Sequence, residues 1–438
     1  MRHDELPPAD DRRERARVQL EIATHPILVE QLEEPVLDAL GIALESHRHA
    51  LGLNPQDANT LFNTSQVLAG IAEAVANDDL PQQALGLLEE AVTMQNKCLE
   101  IQEAEYAETL DMEQKAQNIA TQEGTEPSGA EGAAKPEAAD TGDTSDGQWA
   151  TIVEAVTLDT LADTALAQLS ALTTFSDVLS SNPECVPAST LSGIDKHWSG
   201  LEHKLAILSS KLPERSQEIA LARAKFLSAL LEAGFRYGQI DGEAYNKGRD
   251  AAFTAAGLQL EGSAEALIAN ARSLLSFNSA VSDIRPADKQ LAPLRWNALT
   301  AAIAGLNSAS RVPGAGADPR DLASTHLLRG DASMALYTMG APPTAHASAA
   351  AQGPQLLRNA EVYYRNAAKL SPDADDKDAA AFRSHIAATL QQRGEAGPGV
   401  EAAGAIVAGA AKGPQWAVEQ LEEMAEEGGL LPASLFPA

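Results

Sequence analysis

From residue 43 to residue 76 the apolar positions follow helical spacing, stop at a proline, and resume. In "ALESHRHALGLNPQDANTLFNTSQVLAG" (43–70), Ala43, His47 and Ala50 stand at i, i+4 and i+7, on one face of a helix. Small residues at both ends of that stripe let a neighbouring helix approach closely, with the bulkier His47 between them, and Leu53 is expected to close it. Asn54-Pro55 ends the helix, because Pro55 disfavours helical geometry at the residue before it. Asp57 is placed to cap a second helix, "ANTLFNTSQVLAGIAEAVA", with a packing stripe expected at Leu61, Ser65 and Leu68. The pattern predicts helix, short Pro turn, helix.

The same spacing returns with its proline at Ala171, Phe175, Val178 and Pro183, and again at Ala360, Tyr364, Ala367 and Pro372. Two copies lack the proline: Ala84, Leu88, Ala91, and Ala244, Gly248, Ala251. Ala-x6-Ala alone is a cheap match in so alanine-rich a chain; three copies ending in Asn-Pro or Ser-Pro are not. The pattern resembles the second helix and closing turn of the tetratricopeptide repeat, and "LGLNPQDANTLFN" and "AAKLSPDADDKDAA" look like its repeat junctions. The resemblance covers residues 36–75 and 355–390 best, 160–185 less well and 190–340 weakly. It implies an all-α fold, a right-handed superhelix of antiparallel helix pairs (an α-solenoid), with the first helix of each pair lining a concave groove. Helix lengths vary and Ser65 stands where the repeat has a small glycine, so the predicted superhelix is irregular.

Composition supports the helical reading. The chain is rich in Ala, Leu and Glu, with only 4% aromatic residues, and such residues lose little side-chain freedom in a helix. The segment "ATQEGTEPSGAEGAAKPEAADTGDTSDG" (120–147) has almost no large apolar residue and is predicted to be disordered. Between residues 103 and 147, twelve acids stand against Lys115 and Lys135. The expected organisation is N-terminal helical repeats at 10–119, a disordered acidic insertion at 120–147, and repeats of the same superhelix at 148–429. Breaks are expected at 183–186, 210–213, 238–242 and 284–293, and loops at 311–321 and 340–354.

Charge and motifs narrow the function. A formal net charge of −30 argues against nucleic-acid backbones and anionic lipid as main partners and favours basic proteins. No run approaches the ~18 apolar residues of a membrane span. The first residues, "MRHDELPPADDRRERAR", lack the apolar core of a secretory signal. Two cysteines, Cys98 and Cys185, give no disulfide framework, so a cytoplasmic or nuclear location is expected.

Candidate chemistry is sparse. "GAIVAGAAKG" has Lys412 but not the ending of a phosphate loop, and reads as a close-packed helix. There is no G-x-S-x-G and no H-E-x-x-H. His47 and His49 point to different helix faces, His197 and His203 have no better spacing, and neither cysteine has an activating neighbour. No catalytic residue, metal or cofactor is expected, so the remaining reading is binding.

In the helix beginning at Ala58, Asn59, Phe62, Asn63 and Gln66 are expected to face the groove and hold an extended peptide; the plainer reading is ordinary surface residues. The repeat's clamp for acidic chaperone tails is not expected. Asn63 matches its second-repeat Asn, but Leu28, Leu32, Glu100 and Ala104 stand where cations or amides are needed. The predicted function is a non-catalytic adaptor or dedicated chaperone shielding a basic client segment, with ribosomal-protein assembly chaperones of this repeat type as one subclass. The alternative is a scaffold subunit of a larger complex.

Overall fold

The computed structural model describes residues 16–22, 28, 35–77, 80–123, 155–315, 318–393 and 400–435. Among these the fold is all-α, with no strand. The helices are α1 (Val36–Leu53), α2 (Ala58–Asn77), α3 (Pro81–Glu123), α4 (Leu158–Ser181), α5 (Leu191–Lys211), α6 (Ser216–Arg236) and α7 (Gly242–Phe253). They continue as α8 (Ala264–Ile284), α9 (Ala292–Ala309), α10 (Pro319–Thr338), α11 (Ala347–Leu370), α12 (Ala374–Arg393), α13 (Val400–Ala408) and α14 (Pro414–Glu426). Residues 16–22 are also helical, and no helix among the described residues is long and apolar enough to cross a membrane.

Local sequence explains the joints. α1 buries Leu40, Ala43, His47 and Ala50, then stops where Asn54 turns extended ahead of Pro55. Asp57 caps α2 twice, accepting from the Asn59 amide at 3.1 Å and from Thr60 Oγ1 at 2.7 Å. Leu53 does not close the stripe: it is 51% exposed at the end of α1. The copies at Ala84, Leu88 and Ala91, at Ala171, Phe175 and Val178, and at Ala360, Tyr364 and Ala367 are all buried.

The copy at Ala244, Gly248 and Ala251 is displaced by one residue. In α7 the buried i, i+4, i+7 stripe is Tyr245, Arg249 and Ala252, while Ala244 and Ala251 are exposed. Tyr245 packs its ring 5.7 Å from Phe235 and 5.2 Å from Phe277, and burying an aromatic ring outweighs burying two methyl groups.

Two boundaries also differ from expectation. A break at 254–263 follows α7, and α11 begins at Ala347 inside the stretch expected to be a loop. The run of alanines favours helix strongly enough to carry Pro354 in its interior, anchored by buried Leu356 and Leu357 just beyond. Of the segment expected to be disordered, residues 120–123 belong to α3, and 124–147 lie outside the described residues.

The chain divides into two compact units, Met1–Ile71 with Glu89–Gln168, and Ala72–Leu88 with Leu169–Ala438. The first has a partly polar interior: Gln95, Gln102, Thr164 and Gln168 are buried beside Leu61, Val67, Leu99 and Leu161. Gln168 donates to Asn96 at 2.7 Å, and Lys97 reaches across to the Pro55 carbonyl at 2.6 Å.

In the second unit each helix from α5 to α14 packs on the next, and α6 also packs on α8 and α8 on α10. α6, α8 and α10 therefore lie side by side. Beyond α14 the chain turns at Gly428 (φ 64°) and Gly429 (φ 77°) and buries Leu430, Leu431 and Leu435 in the core of α10 to α14.

Candidate functional site

Within the second unit, α4, α6, α8 and α10 surround a cavity of about 930 Å³. Each contributes one face at helical spacing: Thr173 and Asp177 from α4; Lys225, Ser228, Ala229 and Glu232 from α6; Glu265, Ile268, Arg272 and Ser276 from α8; Asp321, Leu322 and Thr325 from α10. Small side chains at Ser228, Ala229, Ala269 and Ser273 make the concavity, and the turn Val312-Pro313-Gly314-Ala315 closes one side. Gly314 holds φ at 83°, a conformation that favours glycine. The floor is partly apolar, with Phe253, Ile268 and Leu322.

Five acids line this cavity, Asp177, Glu232, Glu265, Asp318 and Asp321, against two cations, Lys225 and Arg272. Both cations are engaged: Lys225 pairs with Glu265 at 2.8 Å, and Arg272 donates to Ser324 Oγ at 3.1 Å. Glu232 accepts from Arg236 Nε at 2.9 Å on one oxygen and from Ser276 Oγ on the other. Asp318 caps α10, accepting from the Arg320 amide at 2.8 Å.

The Asp177 carboxyl is pushed up to about 7, first by the protein packed around it and second by the charge of Glu232. Solvent still reaches the exposed side chain, so water offsets part of the first cause. Both causes disfavour the charged carboxylate, and a neighbouring cation would favour it.

The residues expected from sequence to line a groove belong to the first unit. Asn59 is exposed on α2, and Phe62, Asn63 and Gln66 are half-buried on the same helix. Phe62 packs on Ala58, Leu61 and Cys98, together with Leu51, Met94 and Ile101. None of the four lines the cavity. On the expected packing stripe, Leu61, Ser65 and Leu68 are all buried.

His47 is fully buried in the first unit, and burial lowers its pKa. Cys98 is buried too, and burial pushes its thiol up to about 12. Among the described residues no group of three or more His, Cys, Asp or Glu is arranged to hold a metal ion.

Sequence reasoning missed the cavity residues. The available signal was a helix such as "KFLSALLE" (225–232), where Lys225, Ser228, Ala229 and Glu232 share one face at i, i+3, i+4 and i+7. No known family matches the chain, and no curated protein matches it.

Proposed function

We propose that the protein is a non-catalytic adaptor or dedicated chaperone that shields a basic segment of a client protein. In this reading the second unit is an irregular right-handed superhelix of helix pairs resembling tetratricopeptide repeats. The client lies on the concave layer of alternate helices. The observation that carries the reading is the cavity itself, bounded by α4, α6, α8 and α10, with five acids on its walls against two engaged cations. A helix-pair solenoid presents every second helix to one groove, and packing of α6 on α8 and α8 on α10 is the arrangement such a groove requires.

The net charge of −30 adds long-range attraction for a cationic client and disfavours contact with nucleic acid. Ribosomal proteins are one client class of suitable charge. The apolar floor at Phe253, Ile268 and Leu322 favours the second reading, a scaffold subunit whose charge serves solubility.

Affinity purification at low and at high salt separates the two. Basic proteins that elute as salt rises support the chaperone, because screening shortens the reach of exposed charges to about 8 Å near physiological strength. Recovery of neutral or acidic partners that resist salt supports the scaffold.

A further inference from the structure

The acids of the cavity stand in two groups. Asp177 on α4 and Glu232 on α6 form one, where the charge of Glu232 raises the cost of charge on Asp177. Asp318 and Asp321 form the second, at the start of α10. Between them lie the two cations, Lys225 and Arg272, held by Glu265 and Ser324. Counting the side chains that line the cavity, with Arg236 outside that lining and paired to one oxygen of Glu232, the charge runs negative, mixed, negative.

The distance between the groups follows from helix packing. At about 8–10 Å per interhelical step, α10 stands two steps from Glu232 on α6 and three from Asp177 on α4, about 16–30 Å along the row. An extended chain advancing about 3.3 Å per residue spans that with about five to nine residues. A helical segment would need about twice as many residues.

The same row of helices already holds non-helical chain. Residues 427–431 lie against the C-terminal halves of α8 and α10, where Ser279 Oγ donates to the Glu427 carbonyl at 2.9 Å and Thr338 Oγ1 to the Gly429 carbonyl. Arg383 of α12 grips the Glu427 carboxylate at 2.6 and 3.0 Å. Ser279 continues the stripe of α8 on which Arg272 and Ser276 line the cavity. Hydroxyl-bearing faces of these helices thus bind irregular main chain by bonds to its carbonyls.

Resting on the basic-client reading above, we infer that the cavity takes an extended segment carrying two cationic pairs separated by about five to nine residues. One pair meets Asp177 and Glu232 and the other meets Asp318 and Asp321, with uncharged residues between. A guanidinium beside Asp177 and Glu232 removes the repulsion between them. A cation midway would face Lys225 and Arg272 and is disfavoured there. The site therefore reads spacing as well as charge, and a compact basic cluster can satisfy only one end.

The test uses the full-length protein and two labelled, end-capped peptides of identical composition, built of Arg, Ser and Ala. One carries two Arg pairs about eight residues apart. The other carries the four Arg contiguously. Binding is read by fluorescence anisotropy at one ionic strength, with Asp177→Asn and Asp318→Asn/Asp321→Asn variants alongside. Asn keeps the helix cap at position 318, so the second variant is expected to fold.

The spaced peptide should bind at least tenfold more tightly than the clustered one, and each variant should remove most of that advantage. Equal affinities would overturn the spacing inference and leave the basic-client reading standing. Binding of neither peptide would overturn both. A tenfold preference unchanged in both variants would show that the spacing is read at another surface and would overturn the assignment to this cavity.

Discussion

Gly330 of α10 lies directly against the ring of Tyr364 of α11: a Cβ on Gly330 would stand 2.9 Å from Tyr364 Cζ and closer still to two other ring carbons. The ring cannot retreat freely. Its hydroxyl donates to Asp331 Oδ1 at 2.8 Å, and Arg383 of α12 donates to the same oxygen at 2.9 Å. One glycine thus sets the approach of α11 to α10, and a polar triad ties both to α12.

Gly330→Ala is accordingly expected to lower the melting temperature although alanine is the better helix former. Overpacking costs on the order of 1–3 kcal/mol, against a propensity gain of about 1 kcal/mol. Gly200→Ala is the control. It stands exposed in α5 with nothing within 4 Å of its Cβ position, and should stabilise by about 0.5–1 kcal/mol. Thermal denaturation of both variants checks the pair; a higher melting temperature for Gly330→Ala would show that Tyr364 moves aside.

Arg383 carries charge into the same region, with side chains of Arg383 and Asp331 only 8% and 12% exposed. Arg383→Met leaves Asp331 buried without its cation and should cost about 3–5 kcal/mol in chemical denaturation. Adding Asp331→Asn should recover part of that loss, since the stranded charge is then gone. A double variant no more stable than Arg383→Met alone would place the cost in packing.

Ala50 and Ala367 are close-contact positions, 7% and 2% exposed. Leucine at either should cost about 1–3 kcal/mol through overpacking. An unchanged denaturant midpoint for Ala367→Leu would mean that the junction of α11 with Ala380 and Leu327 has unused space.

Phe62 is expected to matter for stability in proportion to its half-buried state. Phe62→Ala should lower the midpoint by less than the about 3–5 kcal/mol of a fully buried phenylalanine, because the side chain packs on Leu61 and Cys98 from one side. Asn59→Ala, on the exposed face, should stay within about 0.5 kcal/mol. Equal effects at both positions would contradict the packing.

Asp177 makes a pH-dependent prediction. Its folded-state pKa, about 7, lies above the ordinary 3.8, so the folded protein holds a proton that the unfolded chain releases. The charged form therefore weighs on folding increasingly as pH rises from about 4 to about 7. Asp177→Asn should raise the melting temperature at pH 8, and the gain should shrink toward zero near pH 4. A gain independent of pH would assign the effect to something other than the carboxylate.

Much of the fold was legible because helical periodicity and helix stops are local properties. Ala43, His47 and Ala50 announce their buried stripe through spacing alone, and Pro55, Pro183 and Pro372 follow helix ends because proline restricts the residue before it. The charge balance, too, belongs to the sequence and needs no folding. The rest required tertiary structure. In α7 the stripe is at Tyr245 rather than Ala244, because Phe235 and Phe277 come from other helices to meet the ring. The candidate site followed the same logic. Asp177, Glu232, Glu265 and Asp321 are scattered through the chain and belong to one cavity only once the helices fold together and α8 packs on both α6 and α10. No local pattern in any one helix specifies which face its second neighbour will share.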